Sequence, residues 1–133
     1  MRFFLPLLFC GSLLAESLWT VNTAKVKPGM YAYALRYYQA AWLPARQEAL
    51  RRGVIGSFRL LEAKSEHAKE AEFVLITEYA SEQQFADREK NFESIFAAMG
   101  RTGPVMIDGK GRAEIFASLG GLEDYREVGP KGK

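Results

Sequence analysis

The sequence predicts an α+β sandwich, a four-stranded antiparallel sheet with two helices on one face, in the order β-α-β-β-α-β. Three observations carry this expectation. Residues 30–53 repeat apolar side chains at three- and four-residue spacing, as a helix with one buried face requires. Residues 81–100 do the same after Ser81 and Gln84, which are spaced as a capping box. Between and around these runs lie short segments rich in β-branched and aromatic residues, the composition of strands.

The first strand is placed at residues 18–29, LWTVNTAKVKPG, which alternates apolar or small with polar side chains up to the turn Lys27-Pro28-Gly29. The first helix follows, with Tyr31, Leu35, Tyr38, Trp42, Ala45 and Ala49 along its inner face and Gly53 as its stop. Pro44 lies inside that run. An interior proline removes a backbone hydrogen bond and crowds the carbonyl one turn back, at about 3 kcal/mol, so a bend is expected near residues 40–42. Residues 54–63 and 72–80 read as the second and third strands, and the charged stretch 64–71 between them reads as a connector. The second helix buries Phe85, Phe92, Ile95, Phe96 and Met99 and ends at Gly100. Residues 112–119, RAEIFASL, are expected to form the fourth strand, after which the chain docks Leu122 and Tyr125 and frays.

The start of the chain has another character. Arg2 precedes an apolar run to Ala15, too short for a membrane span, which needs about 20 residues. A basic start, a short apolar centre and small residues after it describe a secretory signal peptide, cleaved after Ala15 or Ser17. The expected organisation is a signal peptide over residues 1–17, a domain over 18–122 and a flexible C-terminal tail over 123–133, with the mature chain exported. Cys10 is the sole cysteine and lies in the leader, so no disulfide or thiol chemistry is expected of the mature protein. Basic and acidic residues, 18 and 16 of them, are interleaved throughout, which argues against a nucleic-acid partner.

Two helices cover one face of four strands, yet the strands are apolar on both. Phe73, Leu75 and Tyr79 point one way while Val74 and Ile76 point the other; Ile115 opposes Phe116, and Phe58 and Leu60 oppose Ile55 and Leu61. A bare apolar face costs on the order of 25 cal/mol per Å2, so a homodimer joined sheet against sheet is expected.

The first-strand segment VNTAKVKPG (residues 21–29), the W-L-P-A-R of residues 42–46 and the G-V-I-G-S-F of residues 53–58 together resemble the dimeric α+β barrel superfamily, which is ferredoxin-like in fold. The nearest branch is that of NIPSNAP-like and antibiotic-biosynthesis-monooxygenase-like proteins, and the likeness spans residues 18–119. It implies a barrel built by two subunits, with a pocket between each sheet and its helices. Cofactor-independent oxygenases, haem-degrading enzymes, isomerases and proteins without known activity share this architecture. Asn22 matches a pocket asparagine of the haem-degrading members, but Tyr79 stands where those place a tryptophan. Their iron-ligating histidine belongs to the second helix, which here has none. Where many Trp-x-Pro members carry a histidine, this chain has Arg46. These departures weigh against iron, and no cofactor is expected.

The candidate ligand-binding residues are Asn22, Tyr38, Trp42, Arg46 and Tyr79. Tyr31, Tyr33, Tyr37, Tyr38 and Trp42 crowd the bent helix, and each joins a large apolar body to one polar atom, which suits a pocket for a flat organic molecule as well as it suits packing on the sheet. Arg46 can clamp a carboxylate or pair with Glu48 on the surface. His67, the only histidine, sits among Lys64, Glu66, Lys69 and Glu70 in the connector, so neither a metal site nor a Ser-His-Asp triad is expected. The functional expectation is a small-molecule-binding protein for an aromatic or apolar compound. Cofactor-free oxygenation or isomerisation is its catalytic form, and a non-catalytic binding or assembly module is the competing reading.

Overall fold

Strand β1 (Leu18–Val26) is the axis of the sheet in a computed structural model that describes residues 16–64 and 71–130. On one side it pairs antiparallel with β3 (Glu72–Tyr79), Leu18 opposite Tyr79 and Asn22 opposite Leu75, and β3 in turn pairs with β2 (Ser57–Glu62). On its other side β1 pairs with β4 (Phe116–Leu119) and β5 (Glu123–Arg126), so the order is β2-β3-β1-β4 with β5 continuing the β4 edge. This is the expected antiparallel α+β topology with one strand more.

The fifth strand corrects the four-strand expectation. Residues Glu123–Arg126, assigned by sequence to the tail, hydrogen-bond along the first half of β1, Trp19 opposite Tyr125. Every one of them is exposed, so no apolar alternation announced a strand. The corner between β4 and β5 runs against β1 so closely that a Cβ on Gly120 would fall 2.1 Å from Thr23 Oγ1, which only glycine avoids. A second correction concerns residues 112–119. The chain first makes a helical turn, α5 (Arg112–Ile115), and only then enters β4. Ile115 and Phe116 therefore do not oppose each other across the sheet but both join the same core. Ile55 likewise precedes β2 and is buried beside Ala49, while Leu61 is 46% exposed on the far face.

The long first helix is continuous but changes pitch where Pro44 predicts a bend. It runs as α1 (Tyr31–Tyr37), a π-helical turn (Tyr38–Trp42) and α2 (Leu43–Arg51), with Gly53 at φ 71° just past its end. Pro44 enters at the first turn of α2, where a missing N–H is tolerated. The second helix is two: α3 (Glu82–Ala86), capped by the Gln84 N–H donating to Ser81 Oγ at 3.1 Å, and α4 (Arg88–Ala98), with a break at Asp87.

Burial along β3 alternates strictly. Phe73, Leu75, Thr77 and Tyr79 are buried against the helices and Val74 and Ile76 are half-buried on the opposite face. Two core clusters result, one around Tyr38, Phe73, Ile115 and Phe116 under α1, the other around Ala45, Ile55, Tyr79 and Ile95 between α2 and α4. No helix among the described residues is long and apolar enough to cross a membrane. The leader through residue 15 and His67 lie outside the described residues.

Candidate functional site

Between the sheet and the bent helix, where the two core clusters meet, lies a cavity of about 240 Å3. Four of the five candidate residues line it: Asn22 from β1, Tyr38 and Trp42 from the π-helical turn, and Arg46 from α2. Tyr38, Trp42 and Arg46 share one helical face because they recur at four-residue spacing. Asn22 reaches the same space because it lies on the helix-facing side of β1, in step with Thr20 and Ala24. Tyr79 does not join them. Its ring packs edge-on against Phe85 at 5.5 Å, and it borders a separate open groove with Arg88, Phe92 and Leu122. Arg46 borders both spaces.

Arg46 is the electrostatic centre. Its Nε donates to Thr77 Oγ1 at 2.9 Å, and its guanidinium carbon lies 4.1 Å from the Phe92 ring centre and 5.0 Å from that of Trp42. The expected surface pairing with Glu48 does not form, because Glu48 is engaged by Arg51 and Arg52 instead. Among the described residues no carboxylate comes within ion-pair distance of Arg46. Burial pulls its pKa down to about 10, with Tyr79 acting weakly the other way, so it stays a cation at neutral pH.

Two residues lining the cavity each carry a buried polar atom without a partner, Asn22 its Oδ1 and Tyr38 its hydroxyl. Leaving such a group unpaired costs about 1–3 kcal/mol, and native structures seldom do so without reason. Burial, then the neighbouring Tyr37, raises the Tyr38 pKa, while Arg112 opposes the shift; the hydroxyl is a proton donor at neutral pH. Tyr37 and Phe116, edge-on at 5.5 Å, and Phe96 supply further aromatic wall, whereas Tyr31 is half exposed on Glu62 and Tyr33 lies under Lys110.

Sequence reasoning missed Arg101 and Arg112, which also line the cavity. Arg101 follows the Gly100 stop of α4 and donates to the carbonyl oxygens of Ala40 (3.1 Å) and Ala41 on the π-helical turn. Arg112 lies in what reads as a strand and is in fact the first residue of α5; being exposed, it marks the opening. Among the described residues, no histidine, cysteine, lysine or carboxylate lines this cavity and there is no group of three or more potential metal ligands. What the lining can do is grip a flat molecule and stabilise negative charge on it. The described residues of the lining offer no general base.

No protein-family model and no curated protein matches the chain. Solved structures do. An antibiotic-biosynthesis-monooxygenase-like protein of Bacillus cereus superposes with a TM-score of 0.55 over 89% of this chain and 99% of its own, at 13% identity. A dimeric ferredoxin-like protein from an uncultured marine organism gives 0.51 over 90% and 93%, at 10% identity. A NIPSNAP-like domain protein of Burkholderia xenovorans gives 0.50 over 88% of both chains, at 7% identity. The chain therefore has the ferredoxin-like fold on which dimeric α+β barrel proteins are built, and at these identities the likeness is one of fold.

Proposed function

We propose that this protein binds a small, flat, partly aromatic molecule in the cavity between β1 and the π-helical turn, as one subunit of a dimer joined through the outer faces of its sheets. The observation that carries the proposal is that two residues lining one aromatic-walled cavity, Asn22 and Tyr38, each carry a buried polar atom without a partner, Oδ1 and the hydroxyl, which a small side-chain rotation would offer to a ligand. A ligand that pairs them recovers what their desolvation costs. The size is apt. An apolar cavity of about 150 Å3 holds a benzene, so this one suits a substituted single ring or a compact bicycle.

A chemical step on the bound molecule, cofactor-free oxygenation or isomerisation, is the finer reading, and the name of the Bacillus cereus neighbour prompts it for this chain as well. The lining supports one half of such chemistry, donors aimed at developing negative charge. Among its described residues it lacks the other half, a base to take a proton. Binding is therefore the primary reading, and catalysis is confined to molecules that ionise on their own. An assembly role through the aromatic helix is less well supported, since Tyr38, Trp42 and Tyr37 turn inward. We also read the start of the chain, through Ala15 or Ser17, as an export signal, on the strength of Arg2 and the apolar run after it.

Native mass spectrometry of protein purified from its own source tests binding and dimerisation together. The expected spectrum shows twice the subunit mass with a small organic molecule retained. Trp42→Ala and Asn22→Ala should keep the dimer and lose the molecule. Retention of the molecule by both variants would exclude this cavity as its site.

A further inference from the structure

We infer that the molecule held in the cavity is an anion, an aromatic carboxylate or a comparably acidic ring compound, with Arg46 at its inner end and Arg112 at the opening. This rests on the binding reading above and deepens it.

The first observation is a charge imbalance that is local to the cavity. The whole chain is nearly neutral, with 18 basic and 16 acidic side chains. Among the described residues, the cavity lining nonetheless contains Arg46, Arg101 and Arg112 and no aspartate or glutamate. A concave site lined by one sign of charge concentrates ligands of the opposite sign.

The second observation concerns Arg46 itself. Arg36, Arg51, Arg52 and Arg126 each meet a carboxylate, on Asp108, Glu48 or Glu16. Arg46 is more deeply buried than any of these and meets none among the described residues. A desolvated cation without a counter-ion is strongly destabilising unless something compensates it. The rings of Phe92 and Trp42 and the Thr77 hydroxyl compensate in part. Its forked N–H groups match a carboxylate, and a bound anion would complete the pair.

The third observation is the state of the other polar groups. Tyr38 keeps its proton and can donate it in a hydrogen bond to an anionic oxygen, with the Arg112 cation close enough to influence its titration. Arg101, bound to the Ala40 and Ala41 carbonyls, adds positive field without being free to reorient. Asn22 remains for a donor on the ligand ring, such as a hydroxyl.

The test is isothermal titration calorimetry on the purified chain with benzoate, 4-hydroxybenzoate and 2-naphthoate, each beside its neutral primary amide. At least one carboxylate should bind at least tenfold tighter than its amide. Arg46→Gln should erase that ratio while Arg46→Lys keeps part of it, and Arg112→Gln, at the exposed opening, should lower carboxylate affinity severalfold even if Arg46→Gln proves unstable. Amides that bind as well as the acids would overturn the anion inference and leave the cavity as a binding site. Failure of both series to bind would remove the binding reading along with it.

Discussion

The Arg101 guanidinium donates to the Ala40 carbonyl oxygen at 3.1 Å and also to that of Ala41, both on the π-helical turn just before Pro44. In a regular α-helix the N–H of residue 44 would bond the carbonyl of residue 40, but proline has none. The π-helical turn and an arginine from beyond α4 together absorb the defect, while the Leu43 N–H reaches back to the Tyr38 carbonyl. Arg101→Met should therefore destabilise the protein by about 1–2 kcal/mol, the range for a partly exposed hydrogen bond from a charged donor. Urea denaturation should show a lower midpoint at unchanged slope. A midpoint equal to that of the parent would mean the π-helical turn holds without this strap.

Tyr38→Phe should separate stability from binding. Removing an unpartnered buried hydroxyl is expected to raise the stability of the ligand-free protein by about 1 kcal/mol. The same change should weaken ligand binding severalfold, because the hydroxyl is there for the ligand. Thermal melts and titrations on one preparation decide it. A variant both less stable and equally competent would contradict the role given to this hydroxyl.

How far the sequence revealed this site follows from which signals were local. Tyr38, Trp42 and Arg46 were legible because helical spacing alone aligns them, and Asn22 because strand alternation sets its side. Tyr79 failed for a three-dimensional reason. It faces the helices, as Asn22 does, yet lies at the C-terminal end of β3, beyond Leu75 that pairs with Asn22, and packs under Phe85 rather than under the π-helical turn. Arg101 and Arg112 gave no sign at all, since an arginine after a helix stop or in an apparent strand reads as solvent-exposed charge. The fifth strand was hidden for a similar reason: EDYR pairs through its backbone and buries none of its side chains. In contrast, the alternation of β3 carried both its register and its two-faced character.

Acid stability should depend on Glu48. Hydrogen bonds from Arg51 and Arg52 hold its pKa at about 2, down from 4.5. A carboxylate whose folded pKa is depressed contributes stability that is fully present above its unfolded value and is lost as pH falls through the folded one. The parent should thus lose melting temperature between about pH 4.5 and pH 2. Glu48→Gln should lose less across that window, and parallel curves for the two proteins would refute the assignment.

The junction of leader and domain is also open to measurement. Ser17 is only 1% exposed and its carbonyl accepts the Glu127 N–H at 2.9 Å, while Glu16 pairs with Arg126 at 2.6 Å. A chain beginning at Glu16 should be more stable than one beginning at Leu18 by about 1 kcal/mol, nearly all from the backbone bond, since the Ser17 hydroxyl is buried without a partner and a surface ion pair adds little. Differential scanning calorimetry of the two truncations compares them directly, and equal melting temperatures would show that residues 16 and 17 belong functionally to the leader.

The dimer prediction rests on the side of the sheet away from the cavity. Trp19, Val21, Ile76 and Tyr125 line a shallow apolar depression there, with Val74 and the half-exposed Leu61 beside them. The described C-terminal segment does not cover it, because β5 extends the edge of β1 and Glu127 continues along Ser17. A two-fold contact would place each copy's depression on the other's and bury the patch on both chains at once. Ile76 is the choice for a test, being central on β3 and flanked by Val21 and Arg59 in register. Light scattering at micromolar concentration should give two subunits for the parent and one for Ile76→Glu, since a carboxylate facing its own copy across an apolar seam is both desolvated and repelled. The cavity lies on the other face, so ligand affinity should survive the separation within about twofold, well under the tenfold that 1.4 kcal/mol represents. A parent that scatters as a single subunit would leave this face without its partner, and loss of affinity on separation would mean the second subunit completes the site.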